Sequence, residues 1–568
     1  MGGIFGIVDP DGTDREWLRD RVTSAAPHRG AARVVDTKFG VVGAFLDSHM
    51  SGTDSSDGIE LLDGWIEPLD PPREPEANAF DGPSLVRSLT HLAGPRLSPV
   101  NGEFAFAHLG QGGLFLARGP VGTRPLFWSI DGQRVAFGPD PALLRALGFG
   151  SAVVDPRAVS IYLTFGDTMD ARTGFTGIWR VPGGHTISFD GTRVRSLRWF
   201  RPETAVAVKR DLDEAGARVR VALGAAIGSR APGQRVALLL TGGRDSGAVA
   251  VALADAGHRA ECITYRTDPD SEPSEQGSSA SLARHLGFGW TNLLVPTSLG
   301  DDLIRDMARA SGGPLGASLP NGVLVRDAVA RAQATIVMSG EGGDLFQAPP
   351  MAASDLLLRG RFGLALRTIR AYGEAWVYPP SAVARWMLHA LKVNVPGVYD
   401  IGRDDVPPWV VHRDVIRLAG KRRSARGALL SALLRCGYSS GREMSERLYA
   451  MAGARYSCPL FDLRVVRELL SLPLALRLPI PEPKPALGTG VLRDQSTGRV
   501  KAKYSPYFAE LSRRLQDEHR EAFDPGSPAT RLGLVRRSGL SSVRSDRWCI
   551  DALGLLPLHT WLSTQGEE

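Results

Sequence analysis

The chain has 568 residues, 43% hydrophobic and 23% charged, with a formal net charge of +6. That length exceeds what one hydrophobic core supports, so two or three domains are expected, and so modest a charge gives no argument for nucleic acid. No apolar run approaches a membrane span, and Met1-Gly2-Gly3-Ile4-Phe5-Gly6 fits neither a secretory signal nor a myristoylation pattern.

These features lead to the expectation of a cytoplasmic protein with no membrane or nucleic-acid partner. Cys262, Cys436, Cys458 and Cys549 are scattered without a C-x-x-C pair. Neither a disulfide framework nor a zinc site is suggested, and free core thiols are expected.

From residue 1 to about 200, short β-type runs (IFGIV, VVGAFLD, FAFAHL, GLFLAR, PLFWSI, RVAFG) alternate with Gly, Pro and Asp turns, which predicts an antiparallel sheet domain with few helices. Gly52 to Pro83, rich in Pro, Asp, Glu and Ser, reads as a surface loop interrupting that pattern. After Asp211 the texture changes to Ala/Leu/Arg-rich helical segments separated by short buried strands, such as Val236 to Leu240 and Thr335 to Met338. That alternation predicts an α/β sheet with covering helices.

Met351 to Ala450 reads as almost wholly helical, and Leu478 to Gly490 as a Pro/Gly-rich loop. For Tyr372, Trp376, Tyr378, Trp386 and Trp409, core packing is the commoner fate, and lining a peptide cavity is the alternative. Two basic clusters, Arg359, Arg361, Arg367, Arg370 and Lys421, Arg422, Arg423, Arg426, read as solvated helix surface, with an acidic partner as the alternative.

The strongest chemical signal is the strand Val236 to Leu240 running into Thr241-Gly242-Gly243-Arg244-Asp245-Ser246-Gly247, with the helical Ala248 to Ala256 behind it. A strand, a glycine turn and a helix start bring free N–H groups and the positive end of a helix dipole to one point, where an anion belongs. The spacing fits neither a Walker A loop nor a dinucleotide-binding G-x-G-x-x-G. Asp245 lies inside the phosphate cradle and would repel phosphate without a hard cation between them, which implies magnesium.

About a hundred residues later a second strand ends in Ser339-Gly340-Glu341-Gly342-Gly343-Asp344. In a parallel sheet two such strand ends meet at the carboxyl edge, where ligands bind. Asp344 is then a second magnesium ligand beside Asp245. A third candidate is the basic run Arg499-Val500-Lys501-Ala502-Lys503-Tyr504-Ser505 near the C-terminus.

These runs resemble known families. The first is similar to the SGGxDS pyrophosphate loop of N-type ATP pyrophosphatases, with Thr241 for the usual Ser, and the second to the SGEGxDE segment of asparagine synthetases, with Leu345 where that family has Glu. The second resemblance implies Glu341 as the catalytic base, at a place where β-lactam synthetases carry tyrosine. The third resembles R-x-K-x-x-F-S and implies that Lys501, rather than Lys503, acts on the α-phosphate and leaving pyrophosphate. Arg455, Pro459 and Asp462 with Leu472-Pro473 match the same superfamily in order and spacing.

At the front, Gly3-Ile4-Phe5-Gly6-Ile7, His28-Arg29-Gly30, Asn101-Gly102-Glu103-Phe104, Arg118 to Leu126, Phe137-Gly138, Gly177-Ile178 and Pro182 to His185 resemble class II glutamine amidotransferase domains. The resemblance implies an α/β protein of two domains. Residues 1–205 would be a glutaminase-like antiparallel αββα sandwich, and residues 210–568 a PP-loop ATP pyrophosphatase domain with a parallel sheet and extra helices. It further implies ATP and Mg2+ as cofactors. ATP would be held by Leu240, Thr241, Gly242, Gly243, Asp245, Ser246, Ser339, Gly340, Gly342 and Lys501, and the metal by Asp245 and Asp344.

One departure is decisive. A class II glutaminase needs a cysteine directly after the initiator Met, and here that position is Gly2. The element that grips glutamine is replaced by Leu62-Asp63-Gly64-Trp65. The front domain is therefore expected to persist as a scaffold that releases no ammonia.

A silent glutaminase domain joined to a T-G-G-x-D-S loop resembles lasso-peptide cyclases. By that resemblance the chain closes a macrolactam between the N-terminal amine and an Asp or Glu side chain of a leader-cleaved precursor peptide. A leader peptidase and a leader-binding protein are the implied transient partners. A small-molecule amide or β-lactam synthetase, an ammonia-dependent asparagine synthetase-like enzyme and an inactive regulatory homologue remain the alternatives.

Overall fold

The computed structural model describes residues 2–9, 15–25, 32–45, 48–51, 58–69, 100–111, 113–266, 274–295, 302–303, 306, 313–315, 320–349, 352–376, 406–419, 424–480, 482–488, 504–545 and 551–564. The front part holds two six-stranded antiparallel sheets. One runs in the order Ile178–Arg180, Phe127–Asp131, Arg134–Gly138, Ile4–Val8, Gly40–Phe45, Ala32–Thr37. The other runs Val194–Arg198, His185–Phe189, Gly113–Arg118, Val100–Gly110, Ile59–Pro68, His49–Ser51. Alternating side chains of both sheets, among them Ile4, Val42, Phe137, Leu61, Ala105 and Ile187, form the core between them.

The region expected to be one loop, Gly52 to Pro83, contains the strand Ile59–Pro68, which pairs with Val100–Gly110 from Ile59↔Leu109 to Pro68↔Val100. Ile59 and Leu61 are buried while Glu60 and Leu62 are half-exposed, the period of a one-sided strand. Its flanks are so rich in turn-forming residues that average composition conceals the alternation.

The second part is built on a five-stranded parallel sheet. Its strands are β1 (Val236–Leu239), β2 (Ala260–Arg266), β3 (Gly289–Leu294), β4 (Ile336–Ser339) and β5 (Arg455–Ser457), ordered β3-β2-β1-β4-β5. The chain builds outward from β1 through β2 to β3, then returns to lay β4 on the other side of β1. The β1/β4 boundary is thus a topological switch point, where neighbouring connections leave toward opposite faces and open a crevice. Four helices matter below: α1 (Leu212–Gly228), α2 (Arg244–Asp255), α3 (Ser440–Ala450) and α4 (Leu463–Ser471).

The two parts share one core. Phe104, Phe106 and Ala117 on the second front sheet join Trp199 and Phe200 in packing with Ala215, Val219 and Leu223 of α1 and Val466 and Leu469 of α4. The front sheet thereby buries a face that would otherwise be an apolar surface.

Between 351 and 450 the described residues form the helices Ala352–Leu358, Phe362–Trp376, Ala425–Cys436 and α3, with a 3-10 segment at Arg413–Ala419. Tyr372 is buried and its hydroxyl donates to the Ala348 carbonyl, and Trp409 is fully buried, so both pack as core residues. Tyr378, Trp386 and the Trp376 side chain lie outside the described residues. Arg359, Arg361, Arg367 and Arg370 are exposed. Arg426 departs from the solvated-surface expectation because its guanidinium donates to the Ala205 and Leu470 carbonyls, at the ends of a 3-10 turn and of α4. Lys421, Arg422 and Arg423 lie outside the described residues.

Cys262, Cys436 and Cys458 are free, and burial pushes the Cys262 thiol up to about 12. Cys549 lies outside the described residues. No helix among the described residues is long and apolar enough to cross a membrane.

Candidate active site

Leu239 at the end of β1 is in register with Ser339 at the end of β4, so both glycine turns leave the sheet side by side. Gly242 (φ 78°) and Gly342 (φ 99°) adopt the left-handed conformation that lets each strand turn sharply. In the first turn the Thr241 N–H donates to the Ser246 hydroxyl at 3.2 Å, closing the loop on the first turn of α2.

The turns touch through glycine. A Cβ at Gly340 would stand 2.3 Å from the Ser246 nitrogen, and one at Gly343 would stand 2.2 Å from Asp245 Cγ. Only residues without side chains permit that approach, which brings the Asp245 and Asp344 segments together.

A lysine completes the pair. The Lys484 ammonium lies 2.6 Å from Asp344 Oδ1 and also donates to Asp245 Oδ2. Burial works against the charge on Lys484, but Asp245 and Asp344 outweigh it and hold the pKa above the ordinary lysine value. The Lys484 backbone is left-handed (φ 50°), an uncommon conformation for a residue with a side chain. It is held there because the Lys484 N–H donates to Gln347 Oε1 at 2.8 Å, while Gln347 Nε2 donates to the Arg477 carbonyl at 2.8 Å. Arg244, the first residue of α2, grips the same loop by pairing with Glu482 and donating to the Pro483 carbonyl.

Sequence reasoning missed Lys484, and the available signal was a single lysine between Pro483 and Pro485 inside a segment read as a loop. Lys501, the lysine chosen from the sequence, lies outside the described residues.

Glu341 sits on the same edge with its side chain 37% exposed. Its Oε1 accepts from Arg442 Nε at 2.7 Å, and its Oε2 accepts from the Tyr456 hydroxyl at 3.1 Å. The Ser339 and Tyr456 hydroxyls lie 2.8 Å apart, and the Glu341 N–H donates to Ser339 Oγ at 3.2 Å. Burial is the largest influence on Tyr456 and drives its hydroxyl well above 10, so it serves as a hydrogen-bond donor. Burial likewise drives the neighbouring Cys458 thiol far above its ordinary value, which leaves it a poor nucleophile. Neither Arg442 nor Tyr456 was picked from sequence, since each comes from a segment far along the chain from Glu341.

Gly2 packs against Asp63. A Cβ at Gly2 would stand 2.4 Å from Asp63 Oδ1, and Asp63 is itself buried. Ser48 bridges the two, accepting from the Gly3 N–H at 2.7 Å and donating to Asp63 Oδ1 at 3.2 Å. Asp63, in the stretch Leu62 to Trp65, thus lies where a side chain at position 2 would begin.

The donor set suits a hard cation. Asp245 and Asp344 already share one positive group, the Lys484 ammonium, and two carboxylates facing phosphate need such neutralisation. Among the described residues no group of three or more His, Cys, Asp or Glu side chains gathers as a complete metal cage. A metal held here would draw its remaining ligands from phosphate and water, as magnesium commonly does.

Two antiparallel sheets packed on a parallel-sheet domain, with glycine turns and acidic residues at its switch point, define an amidotransferase-like domain joined to a nucleotide-type α/β domain. The sequence profile described as asparagine synthase matches residues 218–561, and that of the glutamine amidotransferase domain matches residues 80–200. The chain belongs to the asparagine synthase family.

The carboxyethyl-arginine β-lactam synthase of Streptomyces clavuligerus is 28% identical over 207 residues, a match spanning 35% of this chain and 36% of that protein. Two solved structures give weaker likenesses. The allosteric regulatory enzyme of purine biosynthesis has 11% identity and a TM-score of 0.24, over 51% of this chain and 80% of that one. The glutamine phosphoribosylpyrophosphate amidotransferase of B. subtilis has 14% identity and a TM-score of 0.23, over 62% and 82%. Scores of that size do not establish a common arrangement of the whole chain.

Proposed function

We propose that this chain is an ATP-dependent, AMP-forming amide ligase that closes a macrolactam in a leader-cleaved precursor peptide. In the first step a side-chain carboxylate of the peptide attacks the α-phosphorus of ATP, the bond to the β-phosphate oxygen breaks, and pyrophosphate leaves. In the second the peptide's N-terminal amine attacks the acyl carbon, AMP departs with the bonding electrons, and the amine's proton passes to a base. An α-amine with a pKa of about 8 is largely protonated at neutral pH, so a base is needed.

The observation that carries the reading is the convergence of Asp245, Asp344 and Lys484 beside two touching glycine turns. The helix dipole at the start of α2 and the Lys484 ammonium would take up negative charge on the departing pyrophosphate. Magnesium, when bound, would be held by Asp245 and Asp344 and would neutralise the phosphates, with Lys501 as a further cation on the leaving group. Glu341, held by Arg442 and Tyr456 yet partly open to solvent, would accept the amine proton.

Gly2, packed against Asp63, favours an amine other than ammonia from glutamine. The peptide's own amine meets that requirement, and a leader peptidase with a leader-binding protein would deliver the substrate. A second reading, closure of a β-lactam in a small molecule, is favoured by the likeness to the Streptomyces clavuligerus protein, whose name records that activity.

Labelled pyrophosphate exchange into ATP separates the two. A synthetic linear peptide with a free N-terminus and an Asp or Glu in its N-terminal part, taken from a short precursor gene beside this one, is expected to stimulate exchange and yield AMP with a product one water lighter. Stimulation by a β-amino acid or aspartate, with none by the peptide, would sink the macrolactam reading.

A further inference from the structure

The face of α3 toward the front domain is charged, and its partners are front-domain residues. Glu443 receives Arg118 at 2.9 Å and both Arg180 Nε and Nη2 at 2.7 Å. Glu446 pairs with Arg124, and Arg447 stands 3.4 Å from Asp140. The N-terminus of α3 is capped twice. Its own Ser439 accepts from the Arg442 N–H, while the front-domain Asp167 accepts from the Ser440 N–H and hydroxyl at 2.6 Å and from the Ser439 hydroxyl at 2.8 Å. Just before the helix, the Gly183 N–H donates to the Gly437 carbonyl at 2.8 Å.

Two connections lead from this clamp to Glu341. Arg442, buried on α3, donates to the front-domain carbonyl of Val121 with Nη1 and to Glu341 Oε1 with Nε. Glu446, paired with Arg124 through Oε1, accepts the Tyr456 N–H on Oε2 at 2.7 Å, and the Tyr456 hydroxyl donates to Glu341 Oε2. Each oxygen of Glu341 is therefore held by a donor whose own position is set by the front domain. Buried guanidinium and carboxylate groups of this kind have few alternative partners, so their geometry is rigid.

We infer that Arg442 is a positioning residue for Glu341 and that the front domain, through α3, orients the base of the amine-attack step. This rests on the proposed ligase reading, in which Glu341 serves the second step and not the first. The Asp245, Asp344 and Lys484 cluster contains no member of the clamp. Disturbing the clamp therefore separates the two steps, sparing adenylation and impairing amide formation.

The test uses the full chain, magnesium, ATP and the linear peptide described above, with Arg442→Gln, Arg442→Lys and Asp167→Asn. Arg442→Gln is expected to retain peptide-dependent pyrophosphate exchange within about threefold while macrolactam formation falls by at least about tenfold. Arg442→Lys, which keeps one cationic donor, is expected to recover part of the loss. Asp167→Asn should show the same split at smaller amplitude.

Hydroxylamine, unprotonated at neutral pH, needs no base, so hydroxamate yield should stay close to the parent in all three variants. Should Arg442→Gln fail to fold, Asp167→Asn and Arg442→Lys decide the matter. Equal loss of both steps, or no loss in either, overturns the positioning role. A parent chain that makes no AMP with the peptide overturns the macrolactam reading instead.

Discussion

The Lys484 ammonium lies 2.6 Å from Asp344 Oδ1 and also engages Asp245, joining two carboxylates delivered by separate strands. The contact sets the charge balance at the edge where the proposed ligase reading puts phosphate. Without a cation the two acidic groups would repel both each other and any phosphate.

Replacing Lys484 by alanine is therefore expected to lower the rate of AMP formation on the order of 10²-fold, the usual effect of losing one group that stabilises developing charge. The magnesium concentration needed for half-maximal rate should rise in the same variant. Pyrophosphate release measured across a magnesium series checks both, and an unchanged rate would remove Lys484 from the phosphate site.

Gly343→Ala is expected to destabilise the chain by about 1–3 kcal/mol, because the new Cβ must displace Asp245 from a well-packed contact. The clash is direct, with Asp245 Cγ 2.2 Å from the added atom. Thermal melting should show the loss, and pyrophosphate exchange should fall further than stability alone explains, since the displaced group is a proposed metal ligand.

Gly2→Cys is expected to leave the front domain without glutaminase activity. The Cβ would lie 2.4 Å from Asp63 Oδ1, so the Asp63 carboxylate must shift to admit the thiol and stays beside it. Glutamate release from glutamine is the measurement, and release above the parent's level would show that Asp63 does not hold the thiol back.

Asp462 gives a pH dependence of known sign. Burial opposes its charge, yet Arg230 and Arg464 hold its carboxyl down from 3.8 to about 2. Its pKa is lower in the folded chain than in the unfolded one, so it stabilises the fold above about pH 4 and loses that contribution as pH falls toward about 2. The amount is about 2 kcal/mol. Asp462→Asn, which leaves Arg230 short of one buried partner, is expected to cost about 3–5 kcal/mol at neutral pH. The gap from the parent should narrow below pH 4, as read from denaturant melts at several pH values.

The front domain's resemblance to an amidotransferase and the reason for its retention are separate matters. Asn101 and Glu103, part of the stretch that carries the resemblance, turn toward the second domain. Asn101 Oδ1 accepts the Leu463 N–H at the start of α4 at 3.0 Å, and Glu103 pairs with the buried Arg230. Residues on one domain's sheet thus complete the polar groups of the other.

Sequence alone determined the local chemistry: a strand, a left-handed glycine and a helix start at Thr241 to Ser246, the same order at Ser339 to Asp344, and the missing thiol at Gly2. These features are legible because backbone conformation and anion affinity depend on residues within one turn of each other. Only the tertiary structure brought Lys484 between Asp245 and Asp344, ran Ile59–Pro68 into the sheet, and fixed Glu341 with Arg442 and Tyr456. Those partners lie on segments remote in the chain, and no local spacing records which buried charge will meet which. That choice is made when the two domains pack and every desolvated ion must find its counterpart.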